Sequence, residues 1–171
     1  GGISVRNLFP RPIEAHSRFD AVSREYEYRI HSLKDPFLKE TSWYFPYKLD
    51  FELMQEAASF IKEQTNFFAF AKTNSQVKTY NCSVTKSEWL RANGHFIYSI
   101  EANRFLRGMV RLLTATLLNV GRHKITLDGF HNYFRSEVKS GYSVPSHGLF
   151  LKRVNYPENY FPAPALNFTR F

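Results

Sequence analysis

The chain has 171 residues, a formal charge of +8 and a hydrophobic fraction of 43%, enough apolar material to bury a core without disulfides or metals. With 17 phenylalanines and a 17% aromatic fraction it is not a disordered tail, and no apolar run approaches the roughly 18 to 20 residues that span a bilayer. The single cysteine, Cys82, excludes an intramolecular disulfide and any zinc site built on paired cysteines, and it fits a reducing cytoplasm.

Charge is unevenly spread. Residues 1–85 hold 11 cations and 10 anions, whereas 86–171 hold 12 and 5, so almost the whole excess lies in the second half. No acid occurs between Glu101 and Asp128, a span containing Arg104, Arg107, Arg111, Arg122 and Lys124. Such a stretch attracts polyanions, although a plain solvated basic surface reads the same way.

Residues 1–13 read as an abrupt start, with a short apolar Ile3-Ser4-Val5 placed in a strand and Phe9-Pro10-Arg11-Pro12 as a turn or extended segment. Ser23 to Ile30 alternates strictly and predicts a strand with Tyr26, Tyr28 and Ile30 on one face and Glu25, Glu27 and Arg29 on the other. Asp50 is a good N-cap for a helix over 51–64 whose Leu53, Met54, Ala57, Phe60 and Ile61 make one stripe. Lys72 to Tyr80 has no apolar period and predicts an exposed, mobile loop.

Cys82–Leu90 and His95–Ala102 read as strands joined through Arg91-Ala92-Asn93-Gly94, where Asn-Gly supplies the positive φ angles of a tight hairpin turn. A long helix is predicted over Arg104 to Val120, with Gly121 as its stop and with Arg107 and Arg111, four apart, on one face. A short helix follows at Leu127 to Arg135, and Leu149 to Val154 reads as a final strand. The prediction is an α+β fold with an antiparallel sheet and helices packed mainly on one face. Its domain spans residues 14–157, and 158–171 form an irregular tail.

Few residues invite chemistry. The six histidines never fall at two-histidine helical spacing and have no cysteine partner, so no metal site is expected. Asp35, Asp50 and Asp128 each have a turn, cap or first-turn position, which leaves Asp20 as the carboxylate that position does not explain. Tyr26 reads as either a core aromatic or a catalytic one. Arg111 sits among Met109, Val110, Leu112 and Leu113, where a guanidinium is costly to bury alone; it either emerges at the stripe's edge or faces an anion.

Four motifs in one order resemble the TruA-type tRNA pseudouridine synthases. They are His16-Ser17-Arg18-Phe19-Asp20-Ala21 with Arg24-x-Tyr26-x-Tyr28-x-Ile30; Asn66-Phe67-x-x-Phe70; Asn103-Arg104-Phe105-Leu106-Arg107-Gly108-Met109-Val110-Arg111; and Gly148-Leu149-Phe150-Leu151-x-x-Val154-x-Tyr156-Pro157. The resemblance implies an enzyme that isomerises uridine to pseudouridine in the anticodon arm of tRNA, as a cytoplasmic homodimer and without metal or organic cofactor. It also implies that Tyr26 stacks on the target uracil, that Arg111 pairs with the catalytic aspartate, and that Leu149 packs against the flipped base.

That aspartate belongs to a Gly-Arg-Thr-Asp-x-Gly-Val-His motif, which this chain does not contain. Asp20 is followed by Ala21-Val22-Ser23 and matches a different family position. The chain is therefore expected to correspond to the C-terminal portion of a synthase, to need the N-terminal catalytic portion as a partner, and to be inactive alone. Arg18, Arg24, Lys72, Lys78, Arg104, Arg107 and Arg122 are the cations expected to face tRNA. Arg107 and Gly108 stand where other members often place histidine, and Lys78 stands where an arginine is common. A tRNA-binding or dimer-forming module without chemistry of its own is the alternative.

Overall fold

The computed structural model describes residues 2–5, 7–73 and 77–161. Five strands form one sheet: β1 (Ser23–His31), β2 (Trp43–Tyr44), β3 (Val84–Ala92), β4 (His95–Ala102) and β5 (Leu149–Asn155). β1 is central. It pairs antiparallel with β4 on one side, and on the other with β5 along its first half and with the two-residue, parallel β2 at its end. The sheet is thus antiparallel apart from β2, which its Trp43-Tyr44-Phe45-Pro46 context did not reveal as a strand.

Three helices, α1 (Phe51–Ile61), α2 (Met109–Gly121) and α3 (Leu127–Arg135), complete the layer. α1 lies against β3, α2 against β1, and α3 against both other helices. The core between them is strongly aromatic, with Tyr28, Tyr98, Phe67, Phe70 and Phe130 wholly buried. Each such side chain contributes about 1.5–3 kcal/mol through burial. Phe134 meets Phe67 edge-on at 5.7 Å and Phe130 at 5.5 Å, the geometry that aromatic quadrupoles favour. Buried Thr114 and Thr116 donate to the carbonyls of Val110 and Leu112 at 2.8 Å.

The hairpin turns as its residues dictate, with Asn93 at φ 49° and Gly94 at φ 76°. α2 does not. It begins at Met109, five residues later than its apolar period suggests, because Gly108 takes a left-handed φ of 80° and breaks the helical run. Arg104 consequently lies in an irregular approach and Arg107 in the turn that precedes α2, and Arg107 does not share a helical face with Arg111. Gly121 is not the stop: it is the last helical residue of α2, Arg122 follows as the cap, and the positive φ of 56° falls at His123; a Cβ at Gly121 would fall 2.5 Å from Met54 Cγ, so the glycine permits α1 and α2 to approach.

Two further expectations are corrected. Ile3 and Val5 take no strand conformation and stand exposed, having no partner strand among the described residues. The loop from Lys72 to Tyr80 is not wholly exposed, since Val77 and Tyr80 pack partly against the core and Phe67 N–H donates to Tyr80 O at 3.0 Å; its residues 74–76 lie outside the described ones. Of the tail, residues 158–161 form a turn, and 162–171 also lie outside them.

The face of β1 opposite the helices is the least expected. Glu25 is completely buried and Glu27 nearly so. Glu25 is held by Lys86 at 3.1 Å, Arg153 at 2.8 Å and Ser99 at 3.1 Å, and Lys152 bonds Glu27 at 2.6 Å. Burial alone would raise the Glu25 carboxyl, but the hydrogen bonds from Arg153, Lys86 and Ser99 overcome it and hold the group at about 2.

Candidate active site

At the Ser23 end of β1, a cavity of about 450 Å³ opens between the strand and the start of α2. Tyr26 contributes from β1, Arg111 from the first turn of α2, and Leu149 from the first position of β5, with Arg18 and Arg107 also lining the wall. Tyr26 points there because strand alternation puts it on the helical face, yet it sits beyond the packed centre of the core and stays half-exposed. Its ring is fixed by Phe105, edge-on at 5.1 Å and 84°.

Arg111 is oriented by its Nε, which donates to the Val144 carbonyl at 2.6 Å. Among the described residues no carboxylate lies within ion-pair distance of it. The third position of α2 is also where the helix dipole is positive, so the guanidinium and the helix end reinforce one another instead of cancelling. Together with Arg18 and Arg107, they make this wall a site for an anion. No Asp or Glu lines it among the described residues.

A second, larger cavity of about 750 Å³ adjoins the first, sharing Arg18, Tyr26 and Phe105. Arg24, Lys78 and Arg104 line it together with Phe19, Val77 and Asn103. Arg24 is tied down: its guanidinium donates to the carbonyls of Asn103 and Arg18. Among the described residues, Lys78 and Arg104 make no such bond. Lys72 is exposed and borders the site beside Gly108, its N–H donating to Arg107 O at 2.9 Å.

Arg122 stands apart. It caps the far end of α2, about 16 Å from Arg111 at 1.5 Å per residue, and its guanidinium lies 3.8 Å from the ring centroid of Tyr47. Asp20 lines neither cavity. Its carboxylate accepts from the Tyr160 hydroxyl at 2.6 Å and from His16 N–H at 2.8 Å, and those two bonds, the first above all, lower its pKa. Its task is to close the turn that presents Arg18.

Sequence reasoning overlooked two residues that build the site. Phe105 lay inside one of the motifs, three residues beyond the end of β4 at Ala102, and its place beside β1 shows in its edge-on contact with Tyr26. Val144, which supplies a carbonyl rather than a side chain, left no signal in the sequence at all.

Comparison with known proteins gives a consistent result. A family model described as tRNA pseudouridine synthase matches residues 64–157. A tRNA pseudouridine synthase A of Parabacteroides distasonis is 44% identical over 162 residues, covering 94% of this chain and 64% of the relative. The protein of the same description from Porphyromonas gingivalis is 40% identical, covering 93% and 65%, and that of a Geobacter species is 30% identical, covering 91% and 65%. The chain thus spans a little under two thirds of the length of these relatives.

Proposed function

The chain belongs to the tRNA pseudouridine synthase family, and from that premise we propose that it forms one wall of an active site that isomerises uridine in the anticodon arm of tRNA. The observation that carries the reading is that Tyr26, Arg111 and Leu149, far apart in sequence, line a single cavity that holds cations and, among the described residues, no carboxylate. A site that cuts the uracil from its ribose, turns it and rejoins it through carbon needs the base out of its stack and clamped on both sides.

Tyr26 offers a π face held rigid by Phe105, and Leu149 an apolar surface. Tyr26 is also the only phenol lining the cavity among the described residues, so it is the group best placed to move the proton displaced when the base is rejoined through carbon. Arg111 waits for the catalytic aspartate, which a segment outside this chain supplies; pairing with arginine keeps that carboxylate ionised and fixes its orientation. The test is Arg111→Ala in the native gene product. Pseudouridine formation is expected to fall by about two to three orders of magnitude, and undiminished activity would remove Arg111 from the site.

The second cavity favours a companion reading, in which the chain also binds tRNA in its own right; a homodimer is what the family resemblance implies. Arg18, Arg24, Lys78 and Arg104 converge on it with an exposed Phe19 beside them, which suits a phosphate backbone and an unstacked base. Binding of an anticodon stem-loop by this chain alone should weaken steeply with salt, and absence of binding at low salt would reduce those cations to ordinary surface. Sedimentation reports the oligomeric state.

A further inference from the structure

Tyr28 has no part in the chemistry above, although it lies only two residues beyond Tyr26. Its side chain is wholly buried, and its hydroxyl donates to the Pro145 carbonyl at 2.7 Å. The neighbouring carbonyl, Val144 O, is the one that receives Arg111 Nε at 2.6 Å. Residues 141–147 therefore receive two side-chain donors from outside the loop among the described residues, Tyr28 and Arg111, on consecutive carbonyls. Burial raises the Tyr28 phenol, and the positive charge of Arg111 draws it partly back.

The far end of the same loop also closes on Tyr28. A Cβ at Gly148 would fall 2.9 Å from Tyr28 Cζ and 2.8 Å from the Arg29 carbonyl, and Arg29 N–H donates to Gly148 O at 2.9 Å. Leu149 follows directly and is the β5 partner of Tyr28 in register. One buried ring thus touches the approach to both Arg111 and Leu149. The other end of the loop is pinned separately, by Ser140 N–H to Ala69 O at 2.8 Å and by Ser140 Oγ with Thr116 Oγ1 at 2.9 Å.

We propose that Tyr28 is a positioning residue of the active site: its hydroxyl, through Pro145, sets the Val144 carbonyl that aims Arg111, and its ring, through Gly148, sets Leu149. This rests on the roles given to Arg111 and Leu149 under the proposed function. Without the hydroxyl, Pro145 O loses its partner, the Val144–Pro145 segment gains freedom, and the guanidinium no longer has a fixed anchor. Displacements of about 1 Å in such a site cost up to about a hundredfold in rate.

The experiment compares Tyr28→Phe with wild type in the native gene product, using an anticodon stem-loop RNA. kcat is expected to fall at least about tenfold while KM changes by less than about twofold. The same substitution in an Arg111→Lys background is expected to cost less than about twofold, because the anchor it serves is already lost. A kcat within about twofold of wild type, or equal losses in both backgrounds as a general loosening of the fold would give, overturns the proposal. Should Tyr28→Phe not fold, Gly148→Ala displaces the same ring or loop from the other side; lowered kcat with KM retained supports the proposal and unaltered kcat overturns it. Full activity of Arg111→Ala would instead overturn the assignment of the site itself, a failure readily told apart from that of Tyr28.

Discussion

Arg111 Nε donates to the carbonyl of Val144 at 2.6 Å, and that single bond turns the rest of the guanidinium toward a cavity lined by Tyr26 and Leu149. A lysine at this position keeps the charge but cannot both hold the carbonyl and present a two-pronged donor to a carboxylate. Arg111→Lys is therefore expected to fold normally and to lose at least about tenfold in the rate of pseudouridine formation by the native gene product. Equal rates would mean that charge alone suffices there.

Glu25 links stability to pH. Its carboxyl is lowered from an ordinary 4.5 to about 2, so the folded state favours its ionised form. The stabilisation, on the order of 3 kcal/mol, is complete above about pH 4.5 and drains away as pH falls through about 2. Thermal melts between pH 7 and pH 2 should show Glu25→Gln less stable than wild type at neutral pH, with the two curves converging in acid. Parallel curves would contradict the role given to the ion cluster with Lys86 and Arg153.

The start of α2 depends on one glycine. Gly108 has φ 80° while a Cβ there would meet only Lys72 Cβ at 3.6 Å and Leu112 Cδ1 at 3.7 Å, which is ordinary contact. Backbone conformation is then the whole penalty: Gly108→Ala is expected to cost about 1–2 kcal/mol and Gly108→Asn less. Denaturant unfolding measures both, and an alanine variant as stable as wild type would show that the turn can rearrange.

The cations of the larger cavity should separate by type. Lys78→Ala and Arg104→Ala are each expected to lower the salt-dependence slope of RNA binding by about 0.7–0.9 without altering the melting temperature. Arg24→Ala removes hydrogen bonds to the Asn103 and Arg18 carbonyls, so it should also lower thermal stability. Fluorescence anisotropy across a salt series, together with melts, reads both effects.

Local signals made much of this fold legible. Period-two alternation marked β1, Asn93-Gly94 marked the hairpin, and Asp50 marked the cap of α1, whose side chain accepts from Leu53 N–H at 3.1 Å. What failed to show was non-local. The sequence placed Glu25 and Glu27 only on the face of β1 opposite Tyr26, because alternation reports chemistry, not coverage, and the Lys86, Lys152 and Arg153 that bury them arrive from β3 and β5. The apolar period ran unbroken through Leu106, so nothing in it distinguished helix from the irregular approach and turn that Gly108 permits. The grouping of Tyr26, Arg111 and Leu149 came from family resemblance; no spacing rule connects them.

The structure of the native gene product bound to an anticodon stem-loop tests the central claim most directly. The account predicts a uracil turned out of the RNA stack, lying on the ring of Tyr26 with Leu149 against it and Arg111 paired to a carboxylate beside the sugar. An RNA bound with every base stacked, or a uracil seated away from Tyr26 and Arg111, would contradict it.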